Sequence, residues 1–315
     1  VNASASNGNG SSACPFTTIT EALAAPSSVS SSLTINVAPG TYNAALGEVF
    51  PLQVGANVTI QGTGTTRDQT VIDGSGIYGN GGSTNSVLCT MVLQGSINLV
   101  KVTDSVNQPD AIIFHDRGSA TVSTSDVVGG SRGIWSVPAA LTFTNNPTLE
   151  ISTQVEISAA QNYGVAIETN NATSTTVNIS GLNVHGNDTG IYVRGGSLSA
   201  PTVVISSSQI HTNTYDGVQV QAANTALAPN PTVDLGSSTS DQCANGAARG
   251  GGNDLYCNGH YGVETANNLN VAARFNRWNN AQPTDGNAPA DVSDHNFVNT
   301  SCSPGASTNA CATPN

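Results

Sequence analysis

The chain has 315 residues and a formal net charge of −12, and only 9% of its residues are charged, against roughly 25% in ordinary domains. Such a surface repels phosphate backbones, which excludes nucleic acid as a partner. It repels polyanionic glycans as well unless a basic patch or bound calcium intervenes, so calcium is the one cofactor left open and no other is expected. No apolar run approaches the roughly 20 residues that a membrane span requires.

In chain order, residues 1–13 are Ser, Asn, Gly and Ala and read as a flexible arm. Residues 14–26 hold the one convincing helix, Pro15-Phe-Thr-Thr-Ile-Thr-Glu-Ala-Leu-Ala-Ala25. Thr18 and Glu21 have capping-box spacing, Ile19 and Leu23 share a face, and Pro26 ends it. A single amphipathic helix ahead of many strands is placed to cover an open apolar end. Short strands follow at Leu33-Thr-Ile-Asn-Val37, Phe50-Pro-Leu-Gln-Val54, Asn57-Val-Thr-Ile-Gln-Gly62 and Thr70-Val-Ile-Asp-Gly74, broken by Gly, Asn and Pro.

The succession Pro15-Phe-Thr-Thr-Ile-Thr-Glu-Ala-Leu, Ile35-Asn-Val-Ala-Pro-Gly-Thr-Tyr and Val58-Thr-Ile-Gln-Gly resembles the opening of secreted right-handed parallel β-helix proteins of the pectin-lyase-like superfamily. It is most similar to a bacterial extracellular family known only as a domain of unknown function. The resemblance is close over residues 14–75 and continues beyond them only as a repeat pattern. It implies an all-β coil with three short parallel sheets per turn. Pectin methylesterases share a related opening, but their catalytic carboxylate motifs are absent here.

Further along the chain repeats itself. Asn162-Tyr-Gly-Val-Ala-Ile-Glu168, Asn187-Asp-Thr-Gly-Ile-Tyr-Val-Arg194 and Asn213-Thr-Tyr-Asp-Gly-Val-Gln-Val-Gln221 place glycines at 164, 190 and 217, spaced by 26 and then 27 residues. Weaker copies stand at Gly133-Ile-Trp-Ser-Val137 and Gly262-Val-Glu-Thr265. A period in that range, with strands and no helices, marks a solenoid. A second stack aligns Val177-Asn-Ile179 with Val203-Val-Ile205, and Leu182-Asn-Val-His185 with Ser208-Gln-Ile-His211. The expected organisation is one β-helix domain over 1–315, with rungs over 33–278, a loop insertion at 222–252 and an irregular tail at 279–315. Phe275 and Trp278 are expected to seal its C-terminal end.

The six cysteines are an even number and suit an oxidising compartment. Local pairing joins Cys243 to Cys257 and Cys302 to Cys311, which leaves Cys14 with Cys89. Cys89 sits in the apolar run Val87-Leu-Cys-Thr-Met-Val92, so a buried free thiol is the alternative there. With a start on Val1 and no apolar leader, the chain reads as the mature form of a secreted, extracellular or cell-surface protein.

Alternation after each glycine sends the first and third residues inward and the second and fourth outward. One outward column is then Trp135, Ala166, Tyr192, Gln219 and Glu264, and its neighbour is Val137, Glu168, Arg194, Gln221 and Ala266. Aromatic rings beside planar polar and charged groups are what a sugar ring contacts. Trp135, Glu168, Tyr192, Arg194 and Gln219 are therefore the candidate carbohydrate-binding residues. The competing reading is an ordinary exposed Glu168–Arg194 pair, worth roughly 0–1 kcal/mol. His185 and His211 should stack, with Tyr256 continuing the column and no carboxylate beside them. The ladder Asn162, Asn187, Asn213, Asn258 reads as scaffold.

A hydrolase would need carboxylates converging at roughly 5–9.5 Å, and the phased columns hold none that close. Asp104, Asp110 and Asp116, with His115 and Arg117, form the best cluster for a calcium-dependent lyase. The expectation is a non-catalytic extracellular protein with a structural or adhesive role, contacting glycan or a surface protein, itself included. The alternatives are a polysaccharide lyase or hydrolase and a subunit of an extracellular fibre.

Overall fold

The structure is a computed structural model that describes residues 1–5, 8–25, 32–74, 76–79, 86–138, 146–169, 173–222, 229–235, 252–265, 269–271, 276–278 and 292–293. It is the expected parallel β-helix, three short sheets wound around one apolar core. Each rung contributes one strand to each sheet. Leu33–Val37, Gly40–Asn43 and Leu52–Val54 begin the first, second and third sheets, and successive rungs pair in parallel. In two rungs the first and second strands are one bent strand, Thr148–Ser158 and Thr176–His185. The bend is made by residues with left-handed backbone, Thr153 and Gln154 in one and Gly181 in the other.

The core consists of staves of β-branched side chains stacked rung upon rung. Ile60, Ile97, Val122, Ile151, Ile179 and Ile205 form one, and Ile72, Val102, Val127, Ile157, Val184 and Ile210 another, all fully buried or nearly so. Val and Ile suit this place because their branched carbons pack on the pleat above and below. The repeated glycine has a steric reason rather than a conformational one. A Cβ on Gly164 would stand 2.7 Å from Gly190 O and 2.6 Å from Val184 Cγ2, and one on Gly190 would stand 2.6 Å from Gly217 O. The turn passes too close to the next rung for any side chain.

The cap helix forms, shorter than expected, at Ile19–Ala24, and its Thr18–Glu21 capping box is complete. The buried Glu48 accepts from Ile19 N at 2.6 Å and Thr20 N at 2.9 Å, satisfying two further donors of the first turn. The arm read as flexible is docked instead. Asn2 N donates to Phe16 O at 2.8 Å, Ala38 N to Val1 O at 2.9 Å, and Ala3 N to the Tyr42 hydroxyl at 3.3 Å.

Two further expectations are corrected. The Cys14–Cys89 bridge is not formed: Cys14 is an exposed thiol in the N-terminal segment, while Cys89 is fully buried in the third sheet. Residues 76–79 pair antiparallel with Ser86–Leu93 and join that sheet, with Tyr78 packed on its outer cluster. This satellite cluster holds Val87, Cys89, Val92, Ala111 and Phe114, and burial pushes the Cys89 thiol up to about 12. The end of the rungs, expected to run on to residue 278, is two pieces. Asn270–Val271 pairs antiparallel with Val292–Ser293, and Arg277–Trp278 pairs with the strand Asp254–Tyr256. Cys243, Cys302, Cys311, Phe275, most of the 222–252 insertion and nearly all of the 279–315 tail lie outside the described residues.

The asparagine ladder runs through three of the four expected members. Asn187 Nδ2 donates to Asn213 Oδ1 at 3.1 Å, and Asn213 Nδ2 to Asn258 Oδ1 at 2.9 Å. Each carbonyl also accepts the backbone N–H of the residue below. Asn162 is exposed and bonds to Ser131 instead, because Ala160 holds the ladder position in its rung and its N–H caps the stack on Asn187. A second ladder, through Ser208, Asn253 and Asn276, lines the bend between the first two sheets.

Asn213→Ala removes bonds on both sides of a buried position and should lower unfolding free energy by about 2–4 kcal/mol. Asn162→Ala should change it by less than about 0.5 kcal/mol; denaturant melts of the two variants check the contrast. A second expectation concerns His115, fully buried in the third sheet with Nδ1 3.0 Å from Ser136 Oγ. Burial drives its pKa from the ordinary 6.5 down to about 4. The unfolded chain therefore takes the proton first as pH falls. Stability is complete above 6.5 and declines toward pH 4 by roughly 3 kcal/mol from this residue. His115→Gln should flatten that decline in denaturant melts between pH 7 and 4.

Candidate functional site

The outer face of the third sheet is built by Arg132–Ser136, Tyr163–Glu168, Thr189–Arg194, Val218–Gln221 and Val263–Thr265. The register aligns Trp135, Ala166, Tyr192, Gln219 and Glu264 in one column and Glu168, Arg194 and Gln221 in the next, as the alternation requires. The column before them is Arg132, Tyr163 and Thr189. Strict alternation sends the residue before each glycine inward with the first and third after it, yet the Tyr163 ring stacks on the outward Tyr192, so the period alone does not place this column.

These side chains are bonded among themselves. The Trp135 indole N–H donates to Glu168 Oε2 at 2.7 Å, and the Arg132 guanidinium lies 4.1 Å above the Trp135 ring. Trp135 also meets Phe114 edge-on at 5.4 Å, so its other side is closed by the satellite cluster. Tyr192 is 5% exposed and is no open platform. Its ring stacks on Tyr163 at 4.4 Å with planes 13° apart, and its hydroxyl donates to Gln221 Oε1 at 3.0 Å. Burial pushes its phenol up to about 12. Glu168 and Arg194 are register partners, yet no ion pair joins them within 4.0 Å, because the carboxylate is turned to Trp135. Gln219 Nε2 donates to Glu264 Oε2 at 2.5 Å and reaches Asp216 Oδ2 at 3.5 Å. The face is thus a strip of aromatic rings edged by amides, carboxylates and guanidinium groups. Arg132, Trp135, Tyr163, Glu168, Arg194, Gln219 and Gln221 are all half-buried, whereas Tyr192 is buried.

The second sheet carries a different constellation. His185, His211 and Tyr256 stack as expected, at 5.2 Å and 4.6 Å with planes within 8°. A carboxylate does stand beside them, contrary to the sequence reading: Glu156 Oε1 lies 3.1 Å from His185 Nε2. Glu156 escaped notice because its rung is the bent strand, whose extra residues break the register between Ser152 and Val155. Arg67, from the turn Arg67–Gln69, places Nε 2.5 Å from Asp126 Oδ1 and Nη2 2.6 Å from Glu156 Oε2. Lys101 precedes Asp126 by one rung. Of these groups Arg67 and Glu156 border an open groove of about 470 Å³ along the bend, which Gln154, Asn183 and Gln209 also line. Burial raises the Asp126 carboxyl above its ordinary value while Arg67 opposes the rise, and burial lowers His211.

Asp104, Asp110 and Asp116 do not converge. Asp104 accepts from the backbone of Val106 and Asn107, Asp110 from Leu88 N at 3.0 Å, and the buried Asp116 from Arg117 and the Tyr78 hydroxyl. Asp104 secures its own turn, whereas Asp110 and Asp116 tie their strand to Leu88 and Tyr78. Among the described residues one group brings three metal-type donors together, Asp216, His260 and Glu264.

Arg67→Met should leave two carboxylates facing each other and raise the Asp126 pKa further. Discounted for partial exposure, the loss of stability at pH 7 should be about 1–2 kcal/mol. It should shrink as pH falls and the carboxylates take protons; melts at pH 7 and pH 4 read the difference.

Among solved structures, the A-module of mannuronan C-5 epimerase AlgE6 from Azotobacter vinelandii is similar at 15% identity and a TM-score of 0.34, over 74% of this chain and 64% of that module. The chain therefore spans just under two thirds of that module's length. The AlgE4 A-module of the same organism is similar at 12% identity and a TM-score of 0.23, over 78% and 85%. No curated protein matches the chain. No described helix is long and apolar enough to cross a membrane. The pattern of one family, described as a protein of unknown function, covers residues 2–285, and the chain belongs to that family, DUF1565.

Proposed function

We propose that this is a secreted, extracellular β-helix protein that contacts glycan along the outer face of its third sheet and performs no chemistry there. The observation that carries the reading is the strip itself. Tyr163 over Tyr192, Trp135 under Arg132, and the polar tips of Glu168, Arg194, Gln219 and Gln221 occupy adjacent rungs of one shallow face. Aromatic rings supply the apolar side of a sugar, and planar amides, carboxylates and guanidinium groups supply directed bonds to its hydroxyls. Rungs repeat at about 4.8 Å, so the strip offers an extended chain a repeating set of contacts rather than a single pocket. A structural or adhesive role follows from such a surface.

The groove at the sheet bend favours one other reading, an enzyme acting on polysaccharide. Asp126 and Glu156 are close enough to share the Arg67 guanidinium, and His185 adjoins them. A carboxylate pair with an imidazole is a general acid–base set.

A panel of neutral and acidic polysaccharides separates the two. Saturable binding without depolymerisation is expected, weakened at least tenfold by the double variant Arg132→Ala/Tyr163→Ala, an effect of about 1.4 kcal/mol or more. Binding that survives that variant sinks the strip. Chain cleavage abolished by Glu156→Gln establishes the enzymatic reading in its place.

A further inference from the structure

We infer that Asp216, His260 and Glu264 form a binding site for a divalent transition cation of the zinc class, a reading that goes beyond glycan contact and does not depend on it. The three side chains come from consecutive rungs. Asp216 precedes Gly217 at the entry to the strand Val218–Gln221, and in the next rung His260 precedes the strand Val263–Thr265, within which Glu264 lies. One ligand atom from each lies within 4.8 Å of the other two. Asp216 Oδ1 is 3.3 Å from His260 Nδ1 and accepts the Tyr261 N–H at 3.2 Å.

The frame around them is rigid. His260 N donates to Tyr215 O at 2.8 Å, and its ring rests on Tyr261 with centroids 3.7 Å apart. Asn258, two residues before His260, terminates the described asparagine ladder. Gln219 Nε2 bonds to Glu264 and reaches Asp216, orienting both carboxylates from the side. Partners of that kind fix the direction of metal ligands.

Charge supplies a second, independent argument. The Asp216 side chain is 4% exposed, and Glu264 faces it across one rung. No lysine or arginine among the described residues forms an ion pair with either. A buried carboxylate beside a second one needs a proton or a cation between them. His260, half exposed, leaves the site open on its solvent side.

The donor set selects the cation. Calcium and magnesium take oxygen ligands almost exclusively, whereas one imidazole with two carboxylates suits zinc and its neighbours. Three protein ligands leave a coordination position for water or an oxygen of a bound molecule.

The test uses the whole chain after dialysis against a chelator, titrated calorimetrically with zinc chloride and, separately, with manganese and calcium chloride. One equivalent of zinc should bind, and His260→Ala and Asp216→Asn should each weaken it at least tenfold. Asp216→Asn keeps an oxygen for the Tyr261 N–H and removes only the charge, and circular dichroism verifies that both variants stay folded. Calcium should neither compete with zinc nor raise Tm. Zinc uptake unchanged in both variants, or abolished instead by His185→Ala, overturns the site. No uptake at all overturns it too, and means the two carboxylates share a proton. Displacement of zinc by equimolar calcium overturns the assigned class of cation.

Discussion

Along the described rungs, a side chain on a parallel strand has a neighbour of the same orientation about 4.8 Å away on the next rung. That spacing follows from parallel hydrogen bonding in register, and most other features answer to it. Apolar positions stacked this way make the Ile and Val staves of the core, with no requirement for large shape complementarity across a domain. Because each rung contacts only its neighbours, the fold is a sum of local matches, and the long step from Gln221 to Val263 leaves the register intact on either side. The strand Thr232–Asp234, inside the stretch expected as a loop insertion, continues the first sheet on Thr202–Val204. Gln219 still pairs with Glu264, as Tyr192 pairs with Gln219.

The same spacing sorts polar residues by whether they can bond to a copy of themselves. An amide can: it donates with nitrogen and accepts with oxygen, so Asn187, Asn213 and Asn258 satisfy one another and the backbone while fully buried. Imidazole and phenol rings can stack, as His185, His211 and Tyr256 do. A carboxylate cannot, having only acceptors when ionised. Columns rich in Asn, Gln, Ser and Thr are therefore the economical surface of such a coil, which explains why so few residues are charged.

The fold was legible because its rule is periodic. The outward columns, the His185–His211–Tyr256 stack and the inward staves all follow from the glycine spacing and alternation of two. What was not legible lay where the period breaks or where two distant segments meet. The bend residues Thr153 and Gln154 concealed that Glu156 reaches His185. Arg67 comes from a turn 87 residues before Gln154, whose carbonyl it also bonds, and no repeat predicts that meeting. Phe114 of the preceding rung likewise closes one side of Trp135, and Cys89 is buried in the cluster beside it. Tyr192 was placed correctly in its column, but alternation says only that a residue points outward. It does not say that Tyr163 of the preceding rung lies over it.

The distribution of the few cations follows from the same constraint. With 8 lysines and arginines against 20 aspartates and glutamates, most carboxylates must find hydrogen-bond donors, and three of the cations stand beside acids. Arg67 bridges Asp126 and Glu156 on adjacent rungs, Lys101 flanks Asp126 from below, and Arg117 pairs with the buried Asp116. Where carboxylates meet with neither lysine nor arginine, as at Asp216 and Glu264, the groups set against them among the described residues are an imidazole, an amide and a backbone N–H. In a coil that elsewhere places a fixed positive charge between stacked acids, that difference separates a residue pair held by the scaffold from one that leaves room for a charge from outside the chain.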